Sequence, residues 1–359
     1  MTLTIGIDCR KVFDFGIGTY IRGLLHAYRD LVTDEELVLF GPESLRDIVP
    51  GNDERFTLVE ETASHYSIEE LAALERQLER HPVDVFHAPH YVTPFGKTKM
   101  VVTIHDLIHL QYPPRNPLAV IYARWMIGRA VRSSRQILTP SAAVAREIEK
   151  CFSRARGKVT VTPNGIDAAL FATPDPGSDQ EFLSRSGLRR GEYLLYVGND
   201  KPHKNVDLLM RAWRGVVSEG GEKTLVLAGG DFNRFASVPG VRVAGFLSDR
   251  HLRSAYRGAM ALVLPSLYEG FGLPILEAMA AGTPVVISDG GALPEVAGDA
   301  ALMFVLSDAH GLSKALLRVI SDEALRASLR QKGLDRVRQF SWEATARKTL
   351  EVYRAASLA

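Results

Sequence analysis

The chain has 359 residues, of which 46% are hydrophobic and 24% are charged, and its formal net charge at pH 7 is +1. This length favours two domains, and the composition is typical of a globular protein that is not embedded in a membrane. The near-neutral charge gives no general attraction to nucleic acid. The presence of only two cysteines, Cys9 and Cys151, argues against a disulfide framework and for a reducing compartment.

No run of about eighteen apolar residues is long enough to cross a bilayer. The amino terminus runs directly into an apolar strand pattern and lacks the features of a signal peptide. We therefore expect a cytoplasmic protein, with peripheral contact to the inner face of the membrane as an open alternative.

Short apolar runs alternate with amphipathic helical patterns along the whole chain. Seven predicted strands lie in the first half, at residues 3–9, 37–40, 56–59, 83–87, 100–105, 136–139 and 159–162. Five more lie in the second half, at residues 193–198, 224–228, 241–246, 261–264 and 284–288. Helical patterns such as those at 67–80, 141–151 and 206–217 separate them, which is typical of parallel α/β sheets. The turn-rich segment 173–178 is the predicted linker between the halves.

Two glycines, Gly16 and Gly18, follow the first predicted strand and open the first helix. They resemble a dinucleotide-binding fingerprint only loosely, because Ile21 stands in the place of the third glycine. We predict a mobile loop whose glycine N–H groups contact a phosphate-bearing ligand or a second substrate. Further along, the predicted strand 100–105 ends in His105, a position at which a histidine is more often structural, and Asp106 shapes the turn.

The middle of the first half is strongly basic. Between Leu107 and Thr160 there are ten Lys or Arg residues, and the only acidic residues there are Glu147 and Glu149. The aromatic residues Tyr122 and Trp125 lie among five of these arginines, which are Arg115, Arg124, Arg129, Arg132 and Arg135. A basic amphipathic helix with aromatic residues can lie on an anionic membrane surface, so segment 115–135 is a candidate membrane contact. The alternative is an ordinary helix whose aromatic residues pack on the sheet while its arginines are solvated.

A glycine-containing turn at residues 196–205 follows a predicted strand and opens a helix. Lys204 lies near that helix N-terminus, where a cation is unfavourable unless an anion shares the site. Asn199 and Lys201 lie in the same turn. The turn is therefore a candidate phosphate site, with an exposed turn lysine as the alternative for Lys201.

Residues 264–280, LPSLYEGFGLPILEAMA, join a predicted strand to a helix with proline in its first turn. Gly270 and Gly272 let the backbone approach a ligand closely, and a helix N-terminus favours an anion. Glu269 precedes the helix and Glu277 lies within it, where both can accept hydrogen bonds from sugar hydroxyls. Taken alone, either glutamate is better explained as an ordinary surface charge.

This segment and residues 278–304 resemble the signature of the retaining glycosyltransferases of family 4, in which two glutamates are separated by seven residues. Here those glutamates are Glu269 and Glu277, and residues 161–167 (VTPNGID) and 340–342 (FSW) resemble further family segments. The resemblance implies the GT-B fold, an α/β architecture of two facing Rossmann-like, doubly wound domains with an interdomain cleft. It implies an acceptor-binding domain at 1–168, a donor-binding domain at 169–340, and a C-terminal helix, 341–359, that packs back on the first domain.

The implied reaction is transfer of a hexose from a nucleotide sugar with retention, by same-face displacement. His105 would contact the donor sugar, Lys204 would neutralise the leaving diphosphate, and Glu269 would bind a sugar hydroxyl. Glu277 would bind the nucleotide ribose. The implied donor-binding set is Gly16, Gly18, Asn199, Lys201, Lys204, Glu269, Gly270, Phe271, Gly272, Leu273 and Glu277. Asn199 stands where the family has an arginine, so Lys201 or Asn199 itself would replace that group.

Three segments, GIGTYIRGLL, VVTIHDLIHLQYP and YVGNDKPHKN, most resemble bacterial polysaccharide mannosyltransferases. They imply GDP-mannose as donor and a glycan or polyprenyl-linked acceptor, with UDP-glucose or another UDP-sugar as the open alternative. These loops contain no Asp-x-Asp motif or His/Cys cluster, so we expect no metal and no cofactor beyond the nucleotide-sugar co-substrate. A sugar-nucleotide epimerase, a sugar phosphorylase and a non-catalytic nucleotide-binding subunit are the other functions open to such a chain.

Overall fold

The computed structural model describes residues 2–49, 53–61, 68–113, 116–220 and 223–358, and the side chains of residues 68–73 lie outside that description. The chain divides into two compact units, Met1–Gly165 with Phe340–Ala359 and Ile166–Gln339. Each unit contains one parallel sheet with helices around it. Arg115 and Ser67, which fall in predicted segments, lie outside the described residues.

The described residues of the first unit form a seven-stranded parallel sheet in the order β3-β2-β1-β4-β5-β6-β7. Its strands are β1 Leu3–Asp8, β2 Glu35–Gly41, β3 Phe56–Glu60, β4 Val85–Ala88, β5 Met100–Thr103, β6 Gln136–Thr139 and β7 Val159–Val161. Its helices are α1 Phe15–Leu31, α2 Ile68–Arg80, α3 Ile108–Gln111, α4 Pro117–Ser133, α5 Ala142–Cys151 and the final helix α14 Trp342–Leu358. Short 3-10 helices cover Glu43–Asp47 and Ser153–Ala155.

The described residues of the second unit form a six-stranded parallel sheet in the order β10-β9-β8-β11-β12-β13. Its strands are β8 Tyr193–Val197, β9 Thr224–Ala228, β10 Val241–Gly245, β11 Ala261–Leu264, β12 Val285–Ser288 and β13 Ala301–Phe304. Its helices are α6 Ala168–Ala172, α7 Pro176–Ser186, α8 Val206–Ser218, α9 Asp249–Gly258, α10 Leu273–Ala280, α11 Leu293–Ala297, α12 Ala309–Ser321 and α13 Glu323–Val337. Two 3-10 helices cover Pro202–Lys204 and Asn233–Phe235.

These two doubly wound sheets confirm the predicted α/β class, and the structure differs from the sequence prediction in two places. Strand β13 was not predicted because it is a short edge strand that pairs only with β12 among the described strands, and its Met303 side chain is exposed. Residues 173–178 lie inside the second unit rather than between the units. Asp175 caps α7 there by accepting a hydrogen bond from the Ser178 N–H, with Pro176 as the first helical residue.

The final helix belongs to the first unit because its apolar face packs on α1. Gly23 of α1 lies directly against the Trp342 ring, and a Cβ atom there would come within 2.2 Å of it. Only a glycine at this position therefore allows α14 to approach α1 this closely.

Helix α14 also contacts the sheet of the first unit through a buried chain of polar groups. The Tyr353 hydroxyl lies 2.6 Å from Nδ1 of the buried His87, whose Nε2 lies 2.7 Å from Thr103 Oγ1.

The aromatic residues of α4 do not pack on the sheet. Tyr122 is 45% exposed and Trp125 is 50% exposed, whereas Met126 is buried. The alternative in which Tyr122 and Trp125 pack on the sheet is therefore wrong. Of the described residues, no helix has both the length and the apolar character needed to cross a membrane.

Both sheets have a topological switch point, where the chain stops adding strands on one side and continues on the other. In the second unit the chain runs from β8 to β9 and β10 and then returns to the opposite side of β8 with β11. In the first unit the same reversal falls between β1 and β4. Ligands of open α/β sheets bind beyond the carboxyl ends of the strands at such points. The loops after β8 and β11 are therefore a candidate ligand site of the second unit.

Candidate active site

An ion pair joins the two loops at the switch point of the second unit. Lys204 Nζ, in the loop after β8, lies 2.7 Å from Glu269 Oε1, in the loop after β11. The Ser266 hydroxyl donates a hydrogen bond of 2.7 Å to the same carboxylate oxygen. Both charged side chains are mostly buried, with exposed fractions of 18% for Lys204 and 15% for Glu269. The structure thus brings together two of the three predicted catalytic residues.

Backbone contacts hold these two loops in register. Asn205 adopts a left-handed conformation with φ of 56°, and its side-chain amide donates to the Pro265 carbonyl at 3.2 Å. The Leu267 N–H donates to the His203 carbonyl at 2.7 Å. An asparagine tolerates this backbone conformation better than most residues, and here it links one loop to the other. The position of Lys204 relative to Glu269 therefore does not depend on the ion pair alone.

Helix α10 starts directly beyond Glu269. Gly272 precedes its first residue with φ of 100°, and a Cβ atom there would approach the Leu293 side chain to 2.9 Å. The Ala292 N–H donates to the Glu269 carbonyl at 3.0 Å, which fixes the backbone before the helix. The positive end of the α10 dipole follows Gly272 and favours an anion beside it. Of the predicted donor-binding residues here, Phe271 is buried, and Gly270 and Leu273 are partly exposed.

Glu277 lies inside α10 and is held by a tyrosine from α9. The Tyr256 hydroxyl donates to Glu277 Oε2 at 2.7 Å, and Tyr256 is fully buried. Burial raises the pKa of Glu277, and the hydrogen bond from Tyr256 partly opposes this effect. The bond fixes one carboxylate oxygen. The other oxygen can accept a hydrogen bond from a ligand hydroxyl.

The turn after β8 places Asn199 and Lys201 at the surface. The Lys201 N–H donates to Asn199 Oδ1 at 3.2 Å, and the Asn199 carbonyl accepts a bond of 2.8 Å from the Tyr196 hydroxyl. The nearby Arg234 does not supply free positive charge, because it is paired with Asp200 and Asp207 at 2.5 and 2.8 Å. In the described part of the chain, Lys201 forms no ion pair, so Lys201 is the available cation of this turn.

His105 lies in the first unit, just beyond β5. Its Nε2 is 2.9 Å from the Pro89 carbonyl, which can only accept, so Nε2 carries the proton and Nδ1 is an acceptor. The Tyr20 ring contacts the imidazole edge-on, with 4.9 Å between ring centroids. Burial lowers the pKa of His105 to about 4. The imidazole is therefore neutral at pH 7.

The two glycines of the first unit differ from each other. Both belong to the first turn of α1, where Gly16 departs from helical geometry, and the Gly18 N–H donates to the Asp14 carbonyl at 3.0 Å. A Cβ atom on Gly18 would lie 2.5 Å from the Val12 carbonyl oxygen, whereas one on Gly16 would meet nothing within 4 Å. The predicted mobile loop is thus wrong for Gly18, whose N–H is already used inside the helix.

Two comparisons decide the family. The family model described as Glycosyltransferase Family 4 matches residues 16–170, and the one described as Glycosyl transferases group 1 matches residues 191–322. O-antigen chain mannosyltransferase B of Escherichia coli is 30% identical over 282 residues, which cover 75% of this chain and 74% of that protein. The chain belongs to glycosyltransferase family 4. It is thus a retaining enzyme that transfers a sugar from a nucleotide sugar.

Two further proteins are similar to this glycosyltransferase. MMP alpha-(1->4)-mannosyltransferase of Mycolicibacterium hassiacum is 32% identical over 67% of this chain and 60% of that protein. The HepE protein of Anabaena, solved in complex with UDP, superposes with a TM-score of 0.74 at 16% identity, over 98% of this chain and 100% of that chain. The predicted GT-B fold class is therefore confirmed.

Three residues of the glycosyltransferase site were not singled out from the sequence. Ser266 and Tyr256 hold the two glutamates, and Asn205 ties the loops together. The signal available for Asn205 was its place directly before helix α8, where an asparagine is a common helix-flanking residue. Tyr256 gave no signal of its own, because its contact with Glu277 is fixed by tertiary structure, whereas Ser266 lies only three residues before Glu269 in the same loop. The described residues of the glycosyltransferase contain no group of three or more His, Cys, Asp or Glu side chains arranged to hold a metal ion.

Proposed function

We propose that this glycosyltransferase transfers mannose from GDP-mannose to a glycan or polyprenyl-linked acceptor in polysaccharide or glycoconjugate biosynthesis. Two relatives reported above carry mannosyltransferase in their names, which supports mannose as the transferred sugar. Family membership makes the chain a transferase, and so disfavours an epimerase, a sugar phosphorylase or a non-catalytic subunit. UDP-glucose or another UDP-sugar is the second candidate donor, and the UDP complex of the Anabaena protein favours it.

The proposal rests on the ion pair at the switch point of the second unit. Lys204 is held 2.7 Å from Glu269 beside the N-terminus of α10, so a cation and a helix dipole act on the same small volume. A diphosphate fits beside the Lys204 ammonium and the α10 N-terminus, because both of these groups stabilise the negative charge that develops as the leaving group departs. Glu269 in this proposal binds a hydroxyl of the donor sugar, and Glu277 binds the ribose.

The proposed mechanism is same-face displacement through an oxocarbenium-like transition state. The acceptor hydroxyl attacks the anomeric carbon on the face from which the diphosphate leaves, and the departing phosphate oxygen takes the acceptor proton. The neutral His105 contacts the donor sugar without adding positive charge beside the developing cation. Acceptor binding is assigned to the first unit and donor binding to the second. No step requires a metal, because Lys204 and the α10 N-terminus act on the diphosphate.

The proposed location is the cytoplasm. Cys9 and Cys151 are both free, and Cys9 is buried, which is compatible with a reducing compartment. At the inner face of the membrane, the enzyme would meet a polyprenyl-linked acceptor.

A thermal-shift screen with GDP-, UDP- and ADP-sugars, followed by product analysis with the best binder, tests the donor assignment. A nucleotide that binds only the folded chain stabilises it by about 2.7 kcal/mol at roughly 100 times its Kd. We expect the largest shift with GDP-mannose and a product that retains the donor's anomeric configuration. A larger shift with UDP-sugars would replace the donor, and no shift with any nucleotide would overturn the site.

A further inference from the structure

Helix α4 of the first unit exposes a row of large apolar side chains. In the described chain these are Leu118, Ile121, Tyr122 and Trp125, with exposed fractions of 70%, 64%, 45% and 50%. Their spacing of three, four and seven residues places them on one face of the helix. The opposite face is buried and consists of Ala123, Met126, Ile127, Ala130 and Val131. We call the exposed row the α4 stripe.

An open cavity of about 410 Å³ adjoins the α4 stripe at Trp125. Its wall includes Arg124 and Arg132 from α4, and Phe152 and Arg154 from the segment after α5. The Arg124 guanidinium lies over the Phe152 ring at 5.9 Å from its centroid. The Phe152 ring packs beside Gly128 of α4, at the distance of an ordinary van der Waals contact for a Cβ atom there. The cavity therefore combines three guanidinium groups with an aromatic wall.

These three arginines are not neutralised by the protein. Arg124, Arg132 and Arg154 are exposed, and the ion pairs found in the described part of the chain include none of them. Residues 117–158 contain nine Lys or Arg residues and only two acidic residues, Glu147 and Glu149. By contrast, Arg129 is already used in the structure, because it donates to the carbonyl and hydroxyl of Thr93 at 2.6 and 2.9 Å. The positive charge beside the stripe is thus available to an external anion.

We propose that the α4 stripe and the arginine cavity bind the surface of an anionic phospholipid bilayer. The four apolar side chains enter the boundary between head groups and acyl chains, and lipid phosphates lie against Arg124, Arg132 and Arg154. Trp125 belongs to both parts and lies at the polar–apolar boundary, where tryptophan is favoured. Each arginine near such a surface contributes roughly a fivefold increase in partitioning, which salt weakens.

A second copy of the chain fits this face less well than a lipid surface does. A two-fold contact would place the same patch against itself and bring the three unpaired arginines of each copy together. Binding through the α4 stripe involves a surface of the first unit and is independent of the identity of the donor or the acceptor. It would bring the enzyme to the membrane whatever sugar is transferred.

Sedimentation of the full chain with phosphatidylcholine vesicles, with and without about a third phosphatidylglycerol, tests this proposal. We expect binding only to the anionic vesicles, with a loss of at least about tenfold between low and high salt. Of the three tryptophans, Trp125 is exposed whereas Trp213 and Trp342 are buried or partly buried, so its fluorescence should shift to the blue on binding. A Trp125→Phe variant should bind vesicles but lose that shift.

Two variants separate the charged and apolar parts. Arg132→Glu with Arg154→Glu should weaken vesicle binding by more than about tenfold, and Leu118→Ser with Ile121→Ser should do the same. The matched controls are Arg189→Glu and Val305→Ser, exposed residues of the second unit whose replacement should leave binding unchanged. Melting temperature and the thermal shift with GDP, measured on every variant, report folding and donor binding separately from lipid binding.

Four outcomes would overturn the proposal. One is that wild-type protein does not bind anionic vesicles at low salt, and another is that the doubly charge-reversed variant binds as well as wild type. The third is a concentration-dependent dimer that the Leu118→Ser, Ile121→Ser variant abolishes, which would assign the face to a second copy. Competition by millimolar glycerol phosphate that abolishes vesicle binding would instead indicate a soluble phosphate ligand and also contradict the bilayer.

Discussion

Lys204 and Glu269 are 65 positions apart in the sequence, yet their Nζ and Oε1 atoms lie 2.7 Å apart. The contact exists because β8 and β11 are neighbours at the point where the strand order of the second unit reverses. In the proposed site, a carboxylate holds this lysine in position before a diphosphate binds. Its charge then needs little reorganisation, which is the property expected of a group that stabilises a leaving anion.

Tyr256 is expected to act on the nucleotide through Glu277. Tyr256→Phe removes the 2.7 Å bond to Glu277 Oε2, and a hydrogen bond to a charged group is worth about 1.5 to 3 kcal/mol. We predict a loss of nucleotide affinity of about tenfold, measured by calorimetry. Tyr193→Phe is the matched control, because that buried tyrosine donates to the Ala255 carbonyl instead.

The pH dependence of nucleotide affinity is a second measurement that tests Tyr256→Phe. Only the ionised form of Glu277 accepts hydrogen bonds with both oxygens, so affinity falls as pH decreases through the pKa of Glu277. Burial raises that pKa and the Tyr256 bond lowers it. Removing the bond should therefore move the acidic limb of the binding curve to higher pH, whereas Tyr193→Phe should not move it. An unmoved limb in Tyr256→Phe would show that Tyr256 does not position Glu277.

Sequence patterns predicted the strands whose residues are all apolar. They were less successful for segments whose structure depends on tertiary contacts. Residues 261–264 are all buried, so their apolar run predicts β11 directly, whereas β13 is an edge strand with mixed exposure. The turn-rich residues 173–178 also contain Asp175 followed by Pro176, which is a helix-start signal, and the structure uses it as one. The apparent linker was therefore a helix cap.

The site could be predicted only in part for a similar reason. A glycine-rich strand-to-helix turn identifies Glu269 and Glu277 as candidates, because the turn is local in sequence. Two of their partners, Tyr256 of α9 and Lys204 of the loop after β8, come from distant parts of the sequence, and no local pattern identifies them. Gly18 illustrates the opposite error, since its sequence suggested a ligand contact whereas its absent side chain makes room for the Val12 carbonyl.

His87 is expected to make stability fall in mild acid. Burial lowers its pKa in the folded protein to about 3, whereas the unfolded value is near 6.5. The unfolded chain therefore binds an extra proton as pH falls below about 6.5, and the free energy of unfolding decreases by about 2 kcal/mol between pH 7 and pH 5. The effect saturates once pH falls through the folded pKa.

Urea unfolding at pH 7 and pH 5 measures this effect. His87→Gln should reduce the pH-dependent loss by about 2 kcal/mol even if the variant is less stable at both pH values. His26→Gln replaces an exposed histidine and should leave the loss unchanged. If the free energy of unfolding fell equally between pH 7 and pH 5 in wild type and in His87→Gln, residues other than His87 would be responsible for the pH dependence.

Replacing the two glycines of α1 by alanine should have different effects. Gly18→Ala forces a Cβ atom to within 2.5 Å of the Val12 carbonyl oxygen, so we expect destabilisation of about 1 to 3 kcal/mol. Gly16→Ala adds its Cβ in open space, where no neighbouring atom has to move, so it should cost less stability than Gly18→Ala. If Gly16 contacts the donor, Gly16→Ala should still raise the KM for the nucleotide sugar. A Gly18→Ala protein as stable as wild type would contradict the packing described for α1.

Activity is expected to be independent of divalent metal. In the proposed site, Lys204 and the N-terminus of α10 stabilise the leaving diphosphate, so that group does not need a metal. Transfer rates in excess EDTA and in added magnesium should therefore agree within about twofold. Activity that EDTA abolishes and magnesium restores would contradict this prediction.

The binding of GDP and GMP to wild type, Lys204→Ala and Lys314→Ala, measured by calorimetry, tests the central assignment most directly. Lys314 is an exposed lysine of α12 and serves as the control for the loss of one positive charge. We predict that Lys204→Ala weakens GDP binding by about tenfold or more, because it loses a charge-assisted bond to the terminal phosphate, while GMP affinity changes by less than about threefold. GDP binding by Lys204→Ala that equals wild type, or an equal loss for GMP and GDP, would contradict the diphosphate site.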